Sequence, residues 1–392
     1  MTTDRAPQTS AAPPPAVPVQ YPALPFPAPV RRTGARVRRA LLIAGVLVML
    51  LLLLVVLAIT GLEVGAVNLG IALVLAVLPV PVYLGLALWI DRFEPEPRWM
   101  IASTFLWGAA VATFVALVVN SIGQLVVSEA LGPQEGVIFG GSISAPIVEE
   151  SSKAAVLFLI FWLSRDEFNG VVDGIVYAIV VGLGFATTEN VIYYGRGVLE
   201  EGLEGGLAVF VVRGILTPFL HPLFTSLTGL GLGIASQSRR TWVRIVAPAA
   251  GLIGAVLLHS AWNTSALGGA LVVGVYVLVI VPILLAMLTV VVLGLRREGR
   301  LVRTYLAPDV QRGALGAWEV EQLSSVRARI GASWRSLQAG GYREWRNCRA
   351  YHATASELAF LRFRVDQGLQ RGEPHAEEQE YVRRLAQLRA PV

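Results

Sequence analysis

Long apolar runs separated by short polar segments occupy the chain from about residue 40 to residue 295. They fall at about 40–60, 67–90, 100–127, 144–163, 171–194, 213–235, 245–267 and 270–295. Each is near the ~20 residues that a helix needs to cross a hydrocarbon core. The pattern predicts an all-α fold, a polytopic membrane helix bundle of about eight spans. Residues 1–38 carry a different signal, rich in Pro and Ala and including Pro13-Pro14-Pro15. Such a segment cannot bury a core and is expected to be a disordered head. After the last run the chain becomes an ordinary charged sequence. There Leu323, Val326, Ile330 and Trp334, and later Tyr381, Leu385 and Leu388, recur at helical spacing. The expected organisation is therefore a head at 1–38, a membrane domain at 39–295 and a small helical tail at 296–392.

Composition supports the membrane reading. The 392 residues are 55% hydrophobic and only 15% charged, against roughly 25% charged in soluble domains. Mean hydropathy is +0.62. The net charge of +5 resides mainly in the tail, where arginines outnumber carboxylates. Tethered beside a bilayer, that surplus favours anionic lipid headgroups as a partner and speaks against nucleic acid. Arginine also sets the topology. One set of connecting segments holds Arg31 to Arg39, Arg92, Arg98, Arg165, Arg239, Arg240, Arg244 and everything from Arg296 onward. The other set holds Glu63, Glu129, Glu135, Glu200, Glu201 and Glu204, with Arg196 alone against the trend. The positive-inside rule then predicts a cell-membrane protein with both termini cytoplasmic. A single cysteine, Cys348, excludes an internal disulfide framework.

The chemistry lies where charge interrupts the apolar runs. Glu149, Glu150 and Lys153 share the fourth run, and a central charge costs about 2.5 to 3.5 kcal/mol on insertion scales. Lys153 is the only lysine in the chain. Two adjacent carboxylates cannot both ionise cheaply in low dielectric, so one of them is a candidate proton acceptor. At 1.5 Å per residue, Glu149 and Glu150 are expected roughly 8 Å below the outer end of their span, and Glu189 about 8 Å below that of the next. His221 and His259 come to about 12 Å, with Asn263 one turn nearer the surface. Asn190 and Arg213 stand beside this level as supporting residues. Four helices therefore deliver Glu149, Glu150, Glu189, His221, His259 and Asn263 to one depth, as a water-filled catalytic cavity needs. Asp173 belongs about 24 Å lower on the helix of Glu189, at the cytoplasmic end. Neither a His-Glu-x-x-His motif nor a Gly-x-Ser-x-Gly elbow occurs.

The ordered set Ala145-Pro146-Ile147-Val148-Glu149-Glu150-Ser151-Ser152-Lys153, Asp173-Gly174-Ile175-Val176-Tyr177, Gly182 to Asn190, the His221 segment and His259-Ser260-Ala261-Trp262-Asn263 resembles the PrsW-type intramembrane proteases. These belong with the CAAX-prenyl-endopeptidase and bacteriocin-processing superfamily. The loop Asp91-Arg92-Phe93-Glu94-Pro95-Glu96-Pro97 adds to the resemblance, which covers roughly residues 80–270. It implies hydrolysis of peptide bonds in membrane-anchored proteins near the outer leaflet, with anti-sigma-factor-like substrates in some members. The chemistry fits, because amide hydrolysis needs an activated water and a donor for the oxyanion. Glu150 or Glu149 can take the water's proton and Lys153 can tune it. His221 and His259 can position water or protonate the leaving amine, and Asn263 can donate to the oxyanion. The same set, with His221, His259 and Glu189 as ligands, could instead hold Zn²⁺. Two adjacent glutamates are an awkward ligand pair for a tetrahedral ion, which favours a metal-free mechanism slightly. The alternatives are a proton-coupled transporter using the Glu/His cluster as a relay, and a non-catalytic membrane scaffold.

Overall fold

A computed structural model describes residues 35–164, 168, 170–368 and 374–389, with side chains from Arg39 onward. Residues 1–34 of the expected head at 1–38, and Arg165, lie outside the described residues. Among those described, every regular element is helical and no strand occurs. The helices are α1 (Ala35–Val64), α2 (Ala66–Val77), α3 (Val80–Ile90), α4 (Arg98–Leu106), α5 (Thr113–Leu131), α6 (Pro133–Phe139) and α7 (Ala145–Leu163). They continue with α8 (Val171–Phe210), α9 (Leu220–Ser236), α10 (Thr241–Ala266), α11 (Leu271–Val275) and α12 (Val281–Gln311). The last three are α13 (Ala317–Ser324), α14 (Val326–Asp366) and α15 (Pro374–Leu388). Wide π-turns join α4 to α5, α6 to α7, α8 to the turn before α9, and α11 to α12. Residues 45–392 form one compact unit.

Among the described residues, six stretches are long and apolar enough to cross a membrane: Arg39–Val64, Ala66–Ile90, Arg98–Leu131, Val171–Ser236, Thr241–Ala266 and Leu271–Gln311. The 144–163 segment is a helix but carries three charges, so its apolarity alone does not mark it. Val171–Ser236 contains two antiparallel rods. Gly202 (φ 71°) breaks α8, a conformation that glycine adopts without steric cost, and the chain returns alongside itself into α9. A Cβ on Gly174 would lie 2.2 Å from the Gly229 carbonyl oxygen, and one on Gly182 2.8 Å from the Pro222 nitrogen. On its other side, a Cβ on Gly184 would lie 2.1 Å from the Phe105 carbonyl oxygen. Small residues thus let α8 pack backbone to backbone against α4 and α9 at once, which makes it the central element.

Two helices are longer than their apolar runs suggest. α6, its π-turn and α7 form one continuous rod from Pro133 to Leu163, where the apolar pattern sets a start near 144. Glu150 consequently lies about 26 Å along that rod, deeper than the expected 8 Å. α8 likewise runs on to its break at Gly202, leaving Glu189 about 20 Å from that end. α12 carries the last span without interruption past Arg296 to Gln311. One hydrophobic core then joins Phe224, Leu258 and Ile280 of the membrane helices to Leu306, Leu323 and Leu358 beyond them. Arg196, the exception to the arginine asymmetry, pairs with Glu63 at 2.6 Å.

Candidate active site

Four helices meet at one level. Measured from the opposite ends, Glu150 lies about 20 Å from Leu163, Glu189 about 27 Å from Val171, His221 about 22 Å from Ser236 and His259 about 27 Å from Thr241. Side chains from the four helices are in direct contact there.

Lys153 occupies the middle of the cluster with no exposed surface. Its Nζ lies 2.9 Å from Glu150 Oε1, 3.4 Å from Glu149 Oε2 and 3.0 Å from His221 Nδ1. It also sits 3.7 Å from the centre of the Phe185 ring. An ammonium removed from water needs such a complete set of partners. Placing Glu149, Glu150 and Lys153 within one turn of α7 supplies two of them locally.

The two carboxylates of the pair have different surroundings. Glu150 is fully buried and accepts from Lys153, from Thr225 at 2.8 Å and from His259 Nδ1 at 3.1 Å. Among the described residues, Glu149 meets only Lys153 at 3.4 Å and His259 Nε2 at 3.9 Å, both through Oε2, and none donates to its Oε1. Sequence reasoning missed Thr225, although it lies one turn beyond His221 on the same face of α9.

Each histidine is oriented by its own carboxylate. His221 Nε2 lies 2.8 Å from Glu189 Oε2, which leaves Nδ1 as acceptor toward Lys153. His259 directs Nδ1 to Glu150 and Nε2 toward Glu149. The rings lie edge to face, 5.3 Å apart, with Phe224 stacked on His259 at 4.8 Å. Arg213, carried on the π-turn after α8, holds Glu189 from the far side and donates to Asn190 Oδ1 at 2.7 Å. Its guanidinium lies 4.0 Å from the centre of the Tyr193 ring.

Asn263 is not brought into the cluster. Its amide donates to the Gly141 carbonyl at 2.9 Å, and neighbouring Ser260 donates to the Ser142 carbonyl at 2.6 Å. The wide turn at 140–144 interrupts the regular helical ladder, and these bonds pin α10 to it. Asn263 is thus a fastening between helices in this structure, and the oxyanion donor expected from the sequence is not at the cluster.

The donor geometry favours a different third ligand from the one expected. Glu149, His221 and His259 each offer one atom within 4.8 Å of the others, the only such set of three among the described residues. Glu189 stands behind His221 on the opposite ring nitrogen. Two histidines and one carboxylate are a known three-ligand set for catalytic zinc. Both histidines, moreover, direct the second ring nitrogen to a carboxylate, as metal-ligating histidines do. Only one of the adjacent glutamates is needed, which removes the objection to the pair. The donor chemistry therefore fits a metal ion, with Lys153 as its competitor for His221 Nδ1.

Asp173 lies at the other end of α8, in its first turn. It faces a second acidic group in which Tyr177 donates to Glu96 at 2.5 Å and the Glu96 backbone amide donates to Asp91 at 2.8 Å. Burial pushes both Asp91 and Glu96 well above the usual carboxylate range.

Residues 96–287 match the family model described as PrsW family intramembrane metalloprotease. The chain is 32% identical over 166 residues to a Protease PrsW of Geobacillus kaustophilus, covering 40% of this chain and 66% of that protein. It is 29% identical over 153 residues to a Protease PrsW of Clostridioides difficile, covering 38% and 60% respectively. For a Protease PrsW of Bacillus subtilis the figures are 28% over 177 residues, 44% and 72%. The matches to the first two thus span less than two thirds of those relatives' lengths. No solved structure matches.

Proposed function

The chain belongs to the PrsW family of intramembrane metalloproteases, and on that premise we propose that it hydrolyses peptide bonds of membrane-anchored proteins at the Glu149, His221 and His259 centre. The observation that carries this reading is the asymmetry of the glutamate pair. Glu150 has both oxygens engaged by donors, whereas Glu149 keeps Oε1 open beside two histidines whose tautomers are fixed by carboxylates. Glu149, His221 and His259 would hold a divalent ion, for which Zn²⁺ is the first candidate. Such an ion lowers the pKa of a bound water to about 7 and polarises a carbonyl.

The chain's own residues do the remaining work. Glu149 takes a proton from the water through Oε1. Glu150 and Glu189 keep one lone pair of each imidazole directed at the centre. Lys153 is the one ammonium in reach and donates to the developing oxyanion or the leaving amine. Arg213 holds Glu189 and reaches the reaction only through His221. A relay reading is less well supported. Between Tyr177 and Glu189, α8 runs about 18 Å with no ionisable residue, so the two acidic groups are not connected along it.

The substrate proposed is a single-pass membrane protein, with an anti-sigma-factor-like protein as the first to test. In a co-expression cleavage assay, Glu149→Gln should lower turnover at least ~10²-fold, the usual contribution of positioned base catalysis. Activity lost to a strong chelator and restored by Zn²⁺ supports the ion. Full turnover by metal-free enzyme leaves the glutamate and water alone, and turnover by Glu149→Gln at the parent rate ends the proposal.

A further inference from the structure

A cavity away from the Glu149 and Glu150 centre holds more positive charge than its surroundings neutralise. Its volume is about 1120 Å³, and it lies between α3, α4, their connecting loop and α14. One wall is apolar and comes from the membrane helices, with Leu84, Leu88, Ile101 and Phe105. The opposite wall comes from the loop and the tail, with Arg92, Arg329 and Arg349. Trp89, Trp334 and Trp345 rim it, the residue type that settles where hydrocarbon meets headgroups.

Among the described residues, the arginines are held without counter-ions, and none of the three lies within 4.0 Å of a carboxylate. Arg329 is 4% exposed, yet it donates only to the Leu323 and Arg92 carbonyls and to Ser356. Burial and the neighbouring Arg92 bring its guanidinium down to about 9. Arg92 donates through Nε to the Trp89 carbonyl, while its buried Nη1 has no hydrogen-bond partner. His352, buried beside them, is lowered to about 3 by burial and by Arg329, Arg349 and Arg92. The acids on the wall do not offset this field. Asp91 and Glu96 bond within the loop and to Tyr177, and burial favours their neutral forms. Glu298 acts on Arg329 only from beyond ion-pair distance.

We propose that the cavity is the seat of one anionic phospholipid, its phosphate held by Arg92, Arg329 and Arg349 and its acyl chains lying along Leu84, Leu88, Ile101 and Phe105. A free phosphate would satisfy the arginines but leave the apolar wall uncovered, and a zwitterionic lipid would bring a cation into an already positive field. The lipid joins Arg92 of the membrane unit to Arg329 and Arg349 of the tail, so it ties the tail to the bilayer at one specific place.

The test uses the full chain, delipidated in detergent and titrated with phosphatidylglycerol, phosphatidylcholine or inorganic phosphate. Bound lipid is counted by native mass spectrometry, and affinity is read from tryptophan fluorescence. One phosphatidylglycerol per chain is expected, bound at least about tenfold more tightly than phosphatidylcholine. Arg329→Gln removes bonds the tail needs to fold, so the variant of choice is Arg349→Gln, whose exposed side chain makes no hydrogen bond to the described residues. It should weaken phosphatidylglycerol about tenfold, while Arg343→Gln, on the same helix outside the cavity, leaves it unchanged. Equal binding of the two lipids, equal weakening by the two variants, or saturation by inorganic phosphate alone overturns the proposal.

Discussion

Glu149 and Glu150 are the same residue type one position apart, and tertiary contacts alone give them different work. Thr225 and His259 reach Glu150 from α9 and α10, while Glu149 faces the centre with one oxygen unclaimed. Glu150→Gln should therefore act on folding as well as turnover. It breaks the shorter of the two ion pairs of buried Lys153, and loss of a buried partner costs about 3–5 kcal/mol. A large drop in thermal midpoint for Glu150→Gln, with little change for Glu149→Gln, is the expected pattern. His352 gives a pH prediction outside the membrane segments. Its imidazole is lowered to about 3 by burial first and then by the arginines, against about 6.5 when unfolded. The unfolded chain thus binds the extra proton between these values. Stability is fully present above about pH 6.5 and is lost as pH falls toward 3. His352→Gln should flatten that slope in a series of unfolding curves, and an unchanged slope counts against it.

At the scale of elements, the site depends on how closely α8 approaches its neighbours. His221 is level with Gly182, where a Cβ would lie 2.9 Å from the His221 carbonyl carbon. Glycine there lets α9 place its imidazole near α7. Gly174→Ala tests the same seam away from the chemistry. The added carbon meets the Gly229 carbonyl at 2.2 Å and Phe168 at 3.2 Å, so the helices must part. The expected cost is about 1–3 kcal/mol. Gly70→Ala, in α2 with nothing within 4 Å, should instead stabilise by roughly 0.5–1 kcal/mol. A matched pair of thermal unfolding curves separates packing from intrinsic helix propensity, and equal shifts would mean that the close approach of α8 to α9 carries no energetic weight.

Across the whole molecule, the tail shares its interior with the membrane unit. Phe93 is 1% exposed, with the Arg329 guanidinium 4.4 Å from its ring centre, and Arg364 pairs with Glu94 at 3.0 Å. Arg362 pairs with both Asp309 and Glu378. A truncation after Arg303 cuts α12 inside its helix and uncovers Phe93, Leu295 and Val302. It should lower the thermal midpoint and expression, although no residue of the proposed centre is lost. Truncated protein with the parent midpoint would show that the shared core contributes nothing. The arginine asymmetry predicts a cytoplasmic tail, so a cytoplasmically active reporter fused after Val392 should be bright. Activity of a periplasmic reporter at that position would reverse the topology.

The apolar runs, the arginine asymmetry and the intramembrane charges determined the helical membrane class and the helices that carry the proposed centre. These features depend on transfer free energy, which is a property of each segment by itself. Glu149, Glu150, Glu189, His221 and His259 were legible because charge in lipid is costly wherever the helix packs. Helix ends were less legible. Pro133 to Ser144 and Arg296 to Gln311 continue rods past the apolar signal, since a helix that packs on protein does not need hydrocarbon to persist. The role of each polar group was decided only by the fold. Asn263 turned to the Gly141 carbonyl, Glu189 stood behind His221, and Glu149 took the place at the centre, because helix rotation and approach fix which oxygen meets which nitrogen. A linear pattern specifies the depth of a residue along its helix, and the neighbours across the bundle choose its partner.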